Sequence, residues 1–325
     1  MDALIDFEIA VTMFLQNLGN WLDMPMQAFT FLGSELFFLL IMPALYWSID
    51  PVIGFRAGMM LVISGGLNSA LKMFFHTPRP YWVDTRVKAF SSESSFGLPS
   101  GHSQNSASIW GMVAASVHKK SAYILAAIVI FLIGLSRLHL GVHFLHDVLT
   151  GWLIGILIIL IYVKLEKPIA QWLSNRRLPL QLLMAFLFSV FFIVLGWLAQ
   201  SSTGDWTIPG DWITNALAAG ADEPDPLNLE GMITIAGVAF GFLAGFAVWR
   251  AKFGVYTINC SQGRRLLRYI VGLVGIFILY FGLKIVFPEE PLFLGMILRY
   301  IRYALIGMWV TFLAPLVFKQ LKLDR

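Results

Sequence analysis

The chain has 325 residues, of which 58% are hydrophobic and 13% charged, and its formal net charge is +4. Soluble domains are about a quarter charged, so this composition excludes an ordinary soluble globular protein and points to a polytopic membrane protein. The single cysteine, Cys260, excludes an internal disulfide and reads as an inert small residue, and the positive balance reads as membrane-topology signal, not as a nucleic-acid surface.

Residues 1 to 20 carry Asp2, Asp6 and Glu8 and lack a basic n-region, so no cleavable signal peptide is expected. Within segment 1–30, the apolar stretch 4–18 is short and begins with acids. It is read as an interfacial helix, with a tenth span as the alternative. A helix needs roughly 20 apolar residues to cross the hydrocarbon core. Stretches of that kind lie near 31–48, 52–75, 101–117, 120–139, 145–163, 180–199, 231–250, 267–287 and 294–317. The expected fold is therefore an all-α transmembrane helical bundle of about nine spans. Asp50-Pro51 marks the turn between the first two, because proline disfavours helix in the residue before it. The charged stretch 164–181, with Pro168 and Pro179, is expected to divide a catalytic core at 31–165 from a C-terminal extension at 166–325. In that extension Gly237, Gly241 and Gly245 recur every four residues, the signature of close helix packing. Arg299 and Arg302 lie in or near the last span and are expected to face protein or the outer interface, against a substrate headgroup or the acidic loop.

The connecting loops differ in charge by side. One side holds Lys119, Lys120, Lys164, Lys167, Arg176, Arg177, Arg250, Lys252, Arg264, Arg265, Arg268, Lys319, Lys322 and Arg325. The other side holds the loops 76–100, 140–144, 200–230 and 288–293, and its 200–230 loop has six acids and no lysine or arginine. The positive-inside rule assigns the first side to the cytoplasm.

Polar residues gather at the outer ends of consecutive spans. Lys72, Arg79 and Pro80 end one span, Pro99-Ser100-Gly101-His102 opens the next, and Ser136, Arg137, His143 and Asp147 follow the third. Five of the six histidines, His76, His102, His139, His143 and His146, fall on this side. Two arginines and a lysine converging on one site make a phosphate clamp, in which arginine offers a planar fork and lysine a point charge. A helix beginning at Ser100-Gly101 presents unpaired N–H groups to an anion, and glycine lets the backbone come close. His143 and Asp147 are four residues apart and share a helical face. A carboxylate there holds one ring nitrogen and leaves the other free to attack, while His102 can protonate a leaving oxygen. The spacing of His139, His143 and His146 also admits a zinc site as an alternative. Tyr81 and Trp82 read as aromatic anchors at headgroup depth, or else as the lining of a lipid headgroup entrance. His76 lies between Lys72 and Arg79, where it could line the site.

This set resembles the membrane branch of the type-2 phosphatidic acid phosphatase superfamily, which also holds bacterial acid phosphatases, vanadium haloperoxidases and glucose-6-phosphatase. The motif of lysine, six residues and arginine-proline is matched by Lys72, Arg79 and Pro80. The motif proline-serine-glycine-histidine is matched by Pro99 to His102. The motif serine-arginine, five residues, histidine, three residues and aspartate is matched by Ser136, Arg137, His143 and Asp147. The resemblance covers about residues 30 to 165. It implies a six-helix-type phosphatase core, with His143 as the nucleophile, Asp147 orienting it and His102 as the acid. It assigns Lys72, Arg79, Ser100, Gly101 and Arg137 to the phosphoryl oxygens. It implies no metal and no cofactor. The expected partner is a lipid phosphate, such as undecaprenyl diphosphate, phosphatidate, phosphatidylglycerol phosphate or a sphingoid phosphate, met on the outer face of a bacterial-type inner membrane. A phosphotransferase using the same phosphohistidine is the nearest alternative, and a transporter or scaffold without catalysis is the next. Roles for the C-terminal spans in shaping a lipid cavity, bracing the core or forming a homo-oligomer all stay open.

Overall fold

The computed structural model describes residues 2–288 and 290–324, so Arg325 of the basic side lies outside the described residues. Among these residues every regular element is a helix. In chain order they are α1 (Asp2–Gln16), α2 (Asp23–Phe31), α3 (Glu35–Ala44), α4 (Pro51–Phe75), α5 (Pro80–Val83), α6 (Gly101–Val117), α7 (Lys120–His139), α8 (Leu145–Ser174), α9 (Leu178–Ser201), α10 (Gly210–Ala218), α11 (Glu230–Phe253), α12 (Gln262–Phe277), α13 (Leu283–Val286), α14 (Leu292–Met308) and α15 (Ala314–Gln320). Short π-helical turns continue α3, α12 and α14.

All nine expected spans fall on helices, but not all are alike. Among the described residues seven helices are long and apolar enough to cross a membrane. An eighth would be the pair Asn20–Phe31 and Glu35–Ile49, bent by 49°. The helix at 101–117 differs: α6 has 17 residues, and its Ser103, Gln104, Ser106 and Ser108 are buried. Its polar side chains are sheltered by protein, so its sequence need not be as greasy as that of a lipid-facing helix. The stretch at 164–181 also differs from the expected linker. Helix α8 runs on through Pro168 to Ser174. Proline removes only one ladder hydrogen bond, and the rest of the turn carries the helix past it.

Exposure is inverted relative to a soluble protein. Ile124, Leu125, Phe131, Leu153, Leu160, Phe186 and Phe191 are exposed on long helices, while Arg79, Arg137 and Asp147 are buried. Apolar side chains facing outward are what a hydrocarbon solvent favours.

The chain forms two compact units. The first takes in the chain up to Phe38, Leu67–Leu160 and Gly196–Asn228. The loops 76–100, 140–144 and 200–230, assigned to one membrane side by charge, meet within this unit. Phe90 N–H donates to the Leu140 carbonyl (3.2 Å), and Asp225 N–H donates to the Ser94 carbonyl (3.0 Å). Ile9 of α1, Tyr81, Trp82, Phe96, Val142, Phe144 and Ala216 form its apolar core. Most of the stretch 4–18 thus lies in the 15-residue helix α1, with Ile9, Glu8 and Thr12 buried and Leu4, Phe7 and Phe14 exposed.

The second unit holds Leu39–Gly66, Ile161–Leu195 and the chain from Leu229 onward. Its glycine stripe behaves as expected. A Cβ on Gly237 would lie 2.5 Å from the Tyr300 carbonyl, and one on Gly245 would lie 2.3 Å from Thr311 Oγ1, so α11 lies directly against α14 and the π turn after it. Arg299 pairs with Glu230 at 2.5 Å, while Arg302 stacks 5.1 Å from the Tyr303 ring centroid.

Candidate active site

The eight residues expected to act on the phosphoryl group, Lys72, Arg79, Ser100, Gly101, His102, Arg137, His143 and Asp147, all lie in the first unit. Helix ends place most of them. Ser100 is the N-cap of α6, and its hydroxyl accepts from Ser103 N–H. The same residue's N–H donates to the Asp147 carbonyl at 3.0 Å. Glycines on α8 make that approach feasible: a Cβ on Gly151 would sit 2.8 Å from the Ser100 carbonyl, and one on Gly155 would sit 2.7 Å from the Gln104 carbonyl. The start of α6 and the start of α8 are therefore in backbone contact. Below Gly101, Asn68 of α4 donates to the Pro99 carbonyl (3.1 Å) and to Gln104 Oε1 (2.9 Å).

His143 sits in the short loop before α8. Its Nδ1 lies 3.2 Å from Asp147 Oδ2, which also accepts from Phe144 N–H at 2.9 Å. Its Nε2 lies 3.3 Å from Arg79 Nη1. The ring is buried, and burial together with the cations Arg79, Lys72 and Arg137 pushes its pKa well below the ordinary histidine range. A neutral ring with a proton on Nδ1 presents a lone pair at Nε2.

Around that nitrogen stand three cations. Arg79 is fully buried, and its guanidinium donates to the carbonyls of Ser95 (2.6 Å), Val142 (2.8 Å) and Phe96 (3.2 Å) and to Ser95 Oγ (3.1 Å). Lys72, in the last turn of α4, donates to Ser95 Oγ (3.1 Å) and to the Phe96 carbonyl. Arg137, near the end of α7, donates to Thr30 Oγ1 (2.7 Å) and pairs with Glu93. Glu93 also lies 3.7 Å from Arg79 Nη2. Burial works against the Glu93 carboxylate, but Arg137 and Arg79 outweigh it and hold its pKa well below the usual range. His102, one residue inside α6, makes no hydrogen bond among the described residues. Its ring packs against Gly33, and it is partly exposed.

Several of these partners are not legible as motif residues. Glu93, Ser95 and Thr30 complete the cation cluster, and only the lone acid within the serine-rich stretch 91–95 gave a hint. Tyr81 and Trp82 depart from the expected interfacial anchors, because both are fully buried. Tyr81 Oη donates to the Glu93 carbonyl (2.9 Å) and accepts from Glu93 N–H (3.2 Å), so it holds the loop that carries the acid. Trp82 stacks near Trp212, and His76 and Phe96 both meet Trp206, so the segment 200–230 roofs this corner. The three clustered histidines diverge. His139 faces Asp23 (2.9 Å), His143 faces Asp147, and His146 faces Glu8 (2.7 Å). Among the described residues no group of three or more His, Cys, Asp or Glu is arranged to hold a metal ion.

Known proteins share these segments. Residues 54–170 match the PAP2 superfamily, and residues 233–325 match the family described as PAP2 superfamily phosphatase, transmembrane extension. Phosphatidylglycerophosphatase B of Bacillus subtilis (strain 168) is 32% identical over 165 residues, which are 47% of this chain and 79% of that protein. Sphingosine-1-phosphate phosphatase 1 of Mus musculus is 25% identical over 314 residues, 89% of this chain and 70% of that protein. Glucose-6-phosphatase 3 of Homo sapiens is 28% identical over 211 residues, 57% of each chain. A crystal structure of a transmembrane PAP2 type phosphatidylglycerolphosphate phosphatase from Bacillus subtilis is 28% identical, with a TM-score of 0.45, covering 52% of this chain and 89% of that one. With the motif residues drawn together in one buried cluster and a relative matched over most of its length, the chain belongs to the PAP2 superfamily of phosphatases, as an integral membrane member with that superfamily's transmembrane extension.

Proposed function

We propose that this chain hydrolyses a lipid phosphomonoester or diphosphate through a phosphohistidine on His143, at the extracytoplasmic face of a bacterial-type inner membrane. The observation that carries the reading is the disposition of His143. One ring nitrogen is on Asp147, and the other is turned toward Arg79 in the cation cluster.

His143 Nε2 attacks phosphorus, the P–O bond to the lipid breaks, and His102 gives its proton to the leaving oxygen. The departing group is the lipid alcohol, or the lipid monophosphate if the substrate is a diphosphate. Water then attacks the phosphohistidine, His102 takes its proton, and the P–N bond breaks to release inorganic phosphate. Lys72, Arg79 and Arg137 hold the equatorial oxygens, with the N-terminus of α6 at Gly101 and the Ser100 hydroxyl beside them. Three fixed cations stabilise transferring phosphoryl charge without a metal or cofactor. The relatives named for phosphatidylglycerophosphate and sphingosine-1-phosphate support a lipid phosphate as the substrate class. The facing follows from the basic loops on the opposite side.

The test is phosphate release by the purified full-length protein in detergent. The substrates are phosphatidate, phosphatidylglycerol phosphate, sphingosine-1-phosphate and undecaprenyl diphosphate. Release is expected from at least one, falling on the order of 10⁴-fold or more in His143→Ala, and surviving EDTA. Loss in EDTA that zinc restores, or full activity in His143→Ala, overturns the mechanism. Release that appears only with an added alcohol acceptor replaces hydrolysis by phosphotransfer.

A further inference from the structure

The carboxylate that orients His143 has a second oxygen, and that oxygen faces a second histidine. Asp147 Oδ2 is committed to His143 and to the Phe144 N–H. Asp147 Oδ1 is buried and has no aligned hydrogen-bond donor among the described residues. His146 Nε2 stands 3.2 Å from it. The other nitrogen of the same ring, Nδ1, lies 2.7 Å from Glu8 Oε2, and Glu8 Oε1 accepts from His146 N–H at 2.9 Å. Glu8 is 2% exposed although it is an acid on the N-terminal helix. The His146 ring is further held by stacking on Phe144, with centroids 5.5 Å apart.

Burying a carboxylate costs several kcal/mol unless it is paired, so a nearly inaccessible Glu8 is placed there by its partner. Helix α1 is fastened in the register that puts it there. Gln16 donates to the carbonyls of Lys88 (2.8 Å) and His139 (3.0 Å) and accepts from Lys88 N–H (3.1 Å). The result is one line of groups: Glu8, His146, Asp147 and His143. The His146 ring thus lies between two carboxylates, hydrogen-bonded to Glu8 and in close polar contact with Asp147. A polar contact against a carboxylate's outer oxygen restrains its plane, and with it the direction of the inner oxygen.

We infer that Glu8 and His146 are positioning residues for the phosphoryl transfer. They hold Asp147 in the plane that aims Oδ2 at His143 Nδ1, and they place the N-terminal helix in the catalytic machinery. This inference rests on the reading of His143 as the nucleophile. Residue 8 precedes the segment matched to the superfamily, 54–170, so this arm is supplied from outside the core.

The test uses the full-length protein in detergent with the four lipid phosphates named above, comparing His146→Leu, His146→Gln, Glu8→Leu, the double leucine variant and His143→Ala. His146→Leu is expected to lower kcat about 10- to 100-fold, through loss of the polar contact that restrains Asp147, with KM within about twofold. Glu8→Leu should do the same, and the double variant should be no worse than either single one, because both act through one group. His146→Gln, whose side-chain amide keeps an N–H near the Nε2 position, should recover most of kcat. A purely structural role would make glutamine no better than leucine and would show in the melting temperature instead of kcat. Wild-type kcat in both leucine variants, with His143→Ala inactive, overturns the positioning role alone. Activity in His143→Ala, or no release by the wild type from any of the four lipids, overturns the nucleophile reading and this inference with it.

Discussion

Arg79 Nη1 and His143 Nε2 lie 3.3 Å apart, with the ring's opposite nitrogen on Asp147. On the proposed mechanism an arginine N–H marks the place where the attacking lone pair points, and the cation and the proposed nucleophile share the space that a phosphoryl group would enter.

From that relationship, Arg79→Lys is not a conservative change. A lysine keeps the charge but loses the fork that also holds the Ser95, Val142 and Phe96 carbonyls. We expect kcat/KM to fall about 10²- to 10³-fold, measured by phosphate release, with the protein still eluting as a single species. A loss of less than about threefold would mean that Arg79 is not in the phosphoryl site.

The pH dependence of stability follows from His143. Its folded pKa lies below the unfolded value of about 6.5. Between the two values the unfolded state binds the extra proton, so this group's contribution is fully present above about pH 6.5 and is lost as pH falls toward the folded pKa. The melting temperature in detergent should therefore drop from pH 7.5 to pH 5, and His143→Asn should flatten that slope. An equal slope in wild type and variant would remove His143 as its source.

Glu93 neutralises part of a buried cation cluster. Replacing it by glutamine leaves Arg79 and Arg137 facing each other with less compensation. Glu93→Gln is expected to melt several degrees lower, at a cost of about 1–3 kcal/mol. It should also bind inorganic phosphate about tenfold more tightly, read as product inhibition. Weaker phosphate binding would show that Glu93 organises the arginines and does not oppose the substrate.

The side assignment can be read from the one natural cysteine. Cys260 is partly exposed in the basic 250–268 segment. A membrane-impermeant maleimide should label it in inverted vesicles and not in right-side-out ones. A Thr207→Cys, Cys260→Ser variant should show the opposite pattern. Reversed labelling would turn the proposed active site toward the cytoplasm.

Much of the site was legible in the sequence because its chemistry is carried by rare residues at helix ends. A lysine, two arginines and a histidine at the margins of apolar spans stand out against the background, and Asp50 and Ser100 mark helix starts by their capping chemistry. What was not legible comes from tertiary placement. Tyr81 and Trp82 sit where an interfacial aromatic belt would lie, and only the segment 200–230 folding over them makes them buried. Thr30 and Glu8 belong to stretches without a motif, and their partners lie more than a hundred residues away. The burial of the polar residues of α6 was not legible either, because sequence shows hydropathy but not shelter.

The hydrogen bond from Ser100 N–H to the Asp147 carbonyl, backed by Gly151 against the Ser100 carbonyl, has a wider consequence. It welds the start of the helix that carries His102 to the start of the helix that carries Asp147. On the proposed mechanism, the frame that sets proton donor and nucleophile apart is thereby built from two backbones. A headgroup of unusual size cannot be met by spreading this gauge. On the proposed mechanism, selectivity between one phosphate ester and another falls to the rim, in the segment 200–230 that roofs the site, which carries none of the residues of the cation cluster.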